Sequence, residues 1–330
     1  MTLVLVRKLL RDIRWPLLTV WLLLFVFSTL WVKIAQRVTT EIAPFFNTLG
    51  VLAKLPDVKA TFDEIVFKGP GKVSQAVLGG AEIRFDQAND FLAVQMLHPV
   101  VMTLAWLWAV GRTSSAVSGE LDRGTMELLM SQPIPRNRLI YAHLIVDAIV
   151  LPIISLSLLL GTQLGLELAG PFQIDPKSFE KLPMIPKELT FDLNPPGLNI
   201  DTSRQWLACL NLVAFMFSLS GIAILISAYG RNRWRALAYC VLLVLVMFVI
   251  NVLGQLWSDA AFLRPATLFF YYQPQKMWLQ NQWLAEMGEA WNAGKPLFGV
   301  PAVPFLFAIG ALGYWGALRI FTRRDLPAPL

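Results

Sequence analysis

Residues 236–257 read ALAYCVLLVLVMFVINVLGQLW, a run of 22 residues without a charge. A hydrocarbon layer about 30 Å thick is crossed by roughly 20 helical residues at about 1.5 Å of rise each. This stretch by itself therefore predicts a membrane-spanning helix. Five more runs satisfy the same rule, at 15–32, 91–111, 139–168, 206–229 and 298–318. The run at 139–168 is too short for two crossings, so it reads as one long helix that either outreaches the bilayer or kinks at Pro152. With 56% hydrophobic and 15% charged residues among 330, the chain is far from soluble composition. The expected fold is an all-α integral membrane protein of six spans, forming a single domain over 1–330.

The distribution of charge sets the orientation. Assigning the N-terminus, the loop 112–138, the turn 230–235 and the C-terminus to one side collects 14 basic residues against five acidic ones there, while the rest of the chain holds 14 basic and 17 acidic. The positive-inside rule then puts both termini in the cytoplasm, and the expected location is the cytoplasmic (inner) membrane. The net charge of +6 is accordingly a topology signal and gives no reason to expect nucleic acid as a partner. Cys209 and Cys240 both lie within apolar runs, where a disulfide framework is not expected, and read as reduced packing residues.

In residues 1–14, Leu3, Val6, Leu10 and Ile13 share one helical face, with Arg7, Arg11 and Arg14 on its flank. That pattern suits an amphipathic helix lying in the interface of an anionic leaflet, with membrane lipids as its partner. A secretory signal peptide fits less well, because no small-x-small cleavage site follows the apolar run. Three segments face outward on this topology. Residues 33–90 contain several glycines and suit a small extracytoplasmic element. Residues 169–204 carry six prolines, which limits regular structure. Residues 258–297 hold aromatic clusters in runs too short to cross, broken by Pro265 and Pro274, as expected of re-entrant or interfacial helices.

Between the second and third runs lies a charged island, SGELDRGTMELLMSQPIPRNRL, residues 118–139. Ser115 or Ser118 can cap a helix whose acidic first turn holds Glu120 and Asp122, and Arg123 and Glu127 are spaced to pair. Leu121, Leu128 and Leu129 fall near one side, and Pro133 and Pro135 stop the helix before Arg136 and Arg138 return the chain to the headgroups. Periodicity leaves two uses open, a solvated connector or a docking element.

The wording of this island resembles the loop between the second and third spans of ABC-2 type permeases, the type V exporter fold. That loop runs approximately Gly-Glu-x-x-Arg-Gly-Thr-x-Glu-x-Leu-x-x-x-Pro-x-x-Arg, matched here by Gly119, Glu120, Arg123, Gly124, Thr125, Glu127, Leu129, Pro133 and Arg136. The layout is also similar, with an N-terminal amphipathic helix, six spans, cytoplasmic termini and re-entrant helices between spans five and six. The sizeable 33–90 segment departs from the simplest members. The resemblance implies a permease subunit that pairs with a second copy or a paralogue and with separate ABC ATPases, which bind the ATP and Mg. Residues 118–133 would be the coupling helix, so Ser118 and Asp122 join the matched residues as expected ATPase contacts. Export of a substrate is implied by the resemblance alone.

The chain's own chemistry is sparse. GPGKVS at 69–74 lacks the spacing of a phosphate loop and the hydroxyl residue after Lys72. There is no zinc-protease or nucleophile-elbow pattern, and His98 and His143 are the only histidines, so no catalytic, cofactor or metal residues are assigned. His143 and Asp147, four apart near the cytoplasmic start of span three, are candidates for a transport path or for a polar contact between helices, with Arg138 near enough to share the charge. Asn211 and Asn251 present the same choice. Ser218, Ser220, Gly221, Ala223 and Ser227 are small enough to let another helix approach span four. Trp106, Trp108, Phe215 and Phe217 are candidates either for a lipid-like pathway or for packing. Two other readings compete with an ATP-driven permease. A secondary transporter should show paired broken helices and more intramembrane charge. A non-transporting scaffold or assembly subunit would need no coupling helix.

Overall fold

A computed structural model describes residues 2–42, 87–131, 135–173, 196–290 and 298–324. Helix α1 (Thr2–Arg37) continues as a wider turn over Val38–Ile42. The second span is built from α2 (Ala88–Val94), a 3-10 turn (Gln95–Leu97) and α3 (Pro99–Thr113). Two short helices follow, α4 (Ser118–Asp122) and α5 (Thr125–Met130), then the long α6 (Asn137–Ala169), α7 (Gln205–Tyr229) and α8 (Arg233–Leu256). After a 3-10 segment (Ser258–Ala266) come α9 (Leu268–Tyr271), α10 (Pro274–Gln280), β1 (Leu284–Glu286), α11 (Met287–Ala290), β2 (Gly299–Pro301) and α12 (Ala302–Arg323). Among these residues, six helical stretches are long and apolar enough to cross a membrane, one for each expected span.

Several expectations need correction. The basic stretch 1–14 is not a separate interfacial helix, because α1 is one helix of 36 residues that passes through Pro16 without a break. Its Val6 is buried, and Leu5, Leu9, Leu10 and Ile13 pack on the main core, whereas Arg7, Lys8, Arg11 and Arg14 stay exposed. The chain is also not purely helical. β1 and β2 pair antiparallel, with Ala285 opposite Val300, and this hairpin delays the start of the last span to Ala302. The run containing Pro152 is a single helix of 33 residues, about 50 Å long. Most of 33–90 and 169–204 lies outside the described residues.

Two close helix contacts organise the bundle. α1 and α6 run parallel: Leu158 O lies 2.8 Å from Ser28 Oγ, Thr29 Oγ1 donates to Gly161 O, and Gln36 Nε2 donates to Ala169 O. The partners are 130, 132 and 133 residues apart, so the register barely drifts along the pair. This approach needs Gly161 and Gly165, since a Cβ on Gly161 would lie 2.5 Å from Phe25 O and one on Gly165 2.8 Å from Thr29 O. Small residues four apart let helix backbones touch, which raises dispersion contact where lipid removes any hydrophobic drive. The second contact joins α7 to α12. Gly221 there lies against Gly310 and Gly313, with no space for a side chain on any of the three. The small-residue reading of span four holds at Gly221.

Polar side chains fasten the places where helices break. At the 3-10 turn of span two, Gln95 Oε1 lies 2.6 Å from Ser28 Oγ and Gln95 Nε2 donates to Thr162 Oγ1, which also accepts from Gln205 Nε2. Tyr272 OH donates to Met96 O in the same turn. Around Tyr272, the rings of Trp106, Phe215, Phe248 and Phe269 pack at centroid distances of 4.7 to 5.8 Å, joining spans two, four and five to the 268–272 segment. Trp106 and Phe215 are packing residues in this fold, and Phe217 stacks on Tyr314.

Replacing Gly161 or Gly221 by Leu should lower stability by about 3 kcal/mol or prevent assembly, since neither backbone can yield. Gly111, with nothing within 4 Å of a built Cβ, is the control. Its change to Ala should be neutral or stabilise by roughly 0.5–1 kcal/mol. Thermal unfolding of the three variants in detergent, read by tryptophan fluorescence, checks the ranking.

Candidate functional site

The charged island forms an elbow, not the single helix expected over 118–133. α4 and α5 meet at Gly124, whose φ of +70° lies in the left-handed region that a side chain disfavours. Glu120 braces this corner: one carboxylate oxygen accepts from Arg123 at 2.5 Å and the other from Thr125 Oγ1 at 2.5 Å. Glu120, Arg123, Gly124 and Thr125 thus make one folded turn. The expected Arg123–Glu127 pair is replaced by Arg123–Glu120, because the reversal at Gly124 removes the helical spacing between the former two. Asp122, Arg123, Gly124, Glu127 and Leu128 are exposed, with Leu128 at 71%, while Met126 is buried among Ala116, Val117, Ile224, Ala228, Ala317 and Phe321. Pro133 lies outside the described residues.

The cap is also different from the expectation. Neither Ser115 nor Ser118 caps α4: Ser118 Oγ donates to Ser114 O, and Ser115 Oγ to Arg112 O. The backbone N–H groups of Val117 and Ser118 both donate instead to Ser227 Oγ on α7, each at 3.1 Å. At the other end of α4, Asp122 accepts from Asn232 Nδ2 at 3.0 Å, in the turn between α7 and α8. Arg324 holds the same turn, donating to Ala228 O and Gly230 O, and Arg136 Nη1 donates to Arg324 O. A guanidinium on the last carbonyls of α7 suits that helix's negative end. Burial and nearby Arg231 pull Arg324 below its ordinary value, but a guanidinium starts so high that it stays charged.

Above the elbow is a buried charge cluster. Arg112, near the end of α3, forms an ion pair with Asp147 of α6, and Asp147 also accepts from Tyr314 OH of α12. Arg112 Nη1 lies 3.0 Å from His143 Nδ1 and Nη2 donates to the His143 carbonyl. Since a guanidinium only donates, His143 Nδ1 is the acceptor and its proton sits on Nε2. The expected sharing of charge with Arg138 is replaced by Arg112, which span two brings to the same depth. Sequence spacing within span three could not reveal a partner on another helix. Asp147 is fully buried and His143 is 5% exposed, so the cluster ties spans two, three and six together.

Residues 6–326 match the sequence profile of the family described as ABC-2 family transporter protein. The chain belongs to that family. No curated protein and no solved structure matches it. It is therefore an integral membrane protein and a transport permease subunit, of a family whose members typically work with an ABC ATPase.

In this permease the remaining candidates serve the break after span five. Asn211 Nδ2 donates to Tyr271 O and its Oδ1 accepts from Gln273 N, two backbone groups at the joint between α9 and α10. Asn251 Oδ1 accepts from Arg264 Nε at 3.4 Å, and Arg264 lies across Gly254, where a Cβ would meet its Cγ at 2.5 Å. Arg112, Tyr314 and the Gly161–Gly165 pair escaped the sequence reading. The four-residue glycine spacing was the one available signal. Ser227 was read only as a small residue, and its use as a cap depends on a contact 109 and 110 residues away.

Removing one member of a buried ion pair strands the other, at a cost of about 3–5 kcal/mol. Asp147→Leu should show that loss. The double variant Arg112→Met, Asp147→Leu should recover most of it, leaving the Tyr314 hydroxyl short of a partner at about 1–3 kcal/mol. Melting of the parent, both single variants and the double variant, arranged as a mutant cycle, measures the coupling.

Proposed function

We propose that this permease is the membrane half of an ATP-driven exporter, and that the elbow α4–α5 seats a separate ABC ATPase on its cytoplasmic face. The observation that carries the reading is the elbow itself. Its corner is braced by Glu120, it leaves Leu128 and the charges of Asp122, Arg123 and Glu127 exposed, and α4 is anchored at its start to Ser227 of α7 and at its end to Asn232 in the turn between spans four and five. A solvated connector has no need of such bracing, and the exposed Leu128 and Arg123 offer a partner an apolar contact with a polar border. On this reading Ser118, Gly119, Glu120, Asp122, Arg123, Gly124, Thr125 and Glu127 shape or border the docking surface, with Leu129, Pro133 and Arg136 following.

The partner would bind and hydrolyse ATP with Mg, and this chain would supply the path. A second permease copy or paralogue completes the pair, the termini and the elbow lie in the cytoplasm of an inner-membrane protein, and the 3-10 segment, α9 and α10 act as re-entrant pieces. Support for that last role is the burial of 268–272 and the capture of their backbone by Asn211. Irregular backbone at membrane depth is tolerated only where protein satisfies it.

Co-purification with an ABC ATPase and the permease-dependent ATPase rate in lipid nanodiscs test the docking. Leu128→Ser should weaken the ATPase's affinity by about tenfold, equivalent to 1.4 kcal/mol. Glu120→Lys, which loses both bracing bonds, should do at least as much. Replacing 118–130 by a Gly/Ser linker should abolish the permease-dependent rate. A linker variant that binds and regulates the ATPase like the parent would sink the assignment and favour a scaffold.

A further inference from the structure

α4 starts without a cap of its own, since Val117 at the capping position has no side-chain oxygen and Ser118 has turned its hydroxyl back to Ser114 O. The two leading N–H groups are taken by Ser227, which is fully buried two residues before the end of α7. Proton bookkeeping closes the arrangement. Ser118 Oγ–H is committed to Ser114 O, so the 3.1 Å contact between the two hydroxyls must be donated by Ser227, which has then given its one proton and accepted two. A serine inside a helix ordinarily returns its hydroxyl to its own preceding turn. Here the hydroxyl serves another element.

Asn232 doubles this link, holding Asp122 with its Nδ2 and capping α8 through Arg235 N. Gly230 sits between, where a Cβ would be 3.3 Å from Ser118 Cβ. We propose that Ser227 is the positioning residue that turns displacement of the α4–α5 elbow into displacement of span four. Covalently the elbow joins only spans two and three, through residues 114–117 and 131–136, so a push on α5 has no covalent route to α7 and reaches it through Met126 packing and the bonds to α4. With Ser227 in place, α4 and the end of α7 move as one block. The inference rests on the docking reading of the elbow.

The test uses the full permease with its co-purified ATPase in nanodiscs of phosphatidylethanolamine and phosphatidylglycerol. Ser227→Ala removes the acceptor, and Ser227→Cys keeps the shape with a weak one. Both should retain ATPase binding but lose the permease-dependent ATPase rate by about five- to thirty-fold, the factor expected for a lost helix cap. Spin labels at the exposed Ser131 and Tyr229 supply a second readout. Their separation should stay constant between nucleotide-free and ATP-trapped states of the parent, and change in Ser227→Ala. Parent-like ATPase rates in both variants, or a separation that changes in the parent, would overturn the proposal. If the Gly/Ser linker abolishes regulation while the Ser227 variants do not, docking stands and Ser227 has no part in transmission. If the linker itself regulates normally, both readings fall. Should Ser227→Ala fail to accumulate, the Cys variant and the parent's label distances decide.

Discussion

A bilayer core offers no water to an unpaired N–H or C=O, and this permease is arranged around that constraint. Unbroken helices satisfy it by themselves. Two of the described breaks call in side chains from elsewhere in the fold. Gln95, at the turn within span two, meets Ser28 and Thr162, Tyr272 takes the Met96 carbonyl, and Asn211 serves both backbone groups at the joint after Tyr271. Of the polar residues that could line a transport path, Asn211 is occupied in this way, Asn251 meets Arg264, and His143 and Asp147 meet Arg112.

Where no water drives helices together, contact has to come from shape. Gly161 and Gly165 admit α1, and Gly221 admits α12 through Gly310 and Gly313. These two zippers fix span one to span three and span four to span six. The ion pair of Arg112 and Asp147, with Tyr314, then crosses between the two pairs and adds span two. Such a buried pair contributes modest net stability but makes alternative packings costly, because any of them strands a charge. At the end of the bundle that carries the elbow, Ser227, Asn232, Arg324 and Arg136 gather the elbow, the 228–232 turn and the starts or ends of spans three, four, five and six. The elbow is therefore an exposed surface on a rigid base.

The charged island illustrates how far the sequence can be read. Its position, its charge and its likeness to a permease loop were legible, because all three are properties of consecutive residues. Its internal form was not: Gly124 at positive φ splits it, and Glu120 turns to Thr125 and Arg123 instead of leaving Arg123 to Glu127. The first 14 residues failed in a related way. Their amphipathic pattern is real, but the same pattern serves a helix that lies on a membrane and one that continues into a span with its apolar face packed on neighbours.

By itself the sequence determined the number of spans, the limits of all but the first to within a few residues, and the family, since hydropathy and motif are written locally along the chain. The tertiary structure alone decided the partners: Arg112 for Asp147, Ser227 for the uncapped α4, and Phe25 and Thr29 for the two glycines of α6. Each of those choices depends on which helices lie side by side at which register. Registers are set by close packing between segments more than 30 residues apart, beyond the reach of any local period.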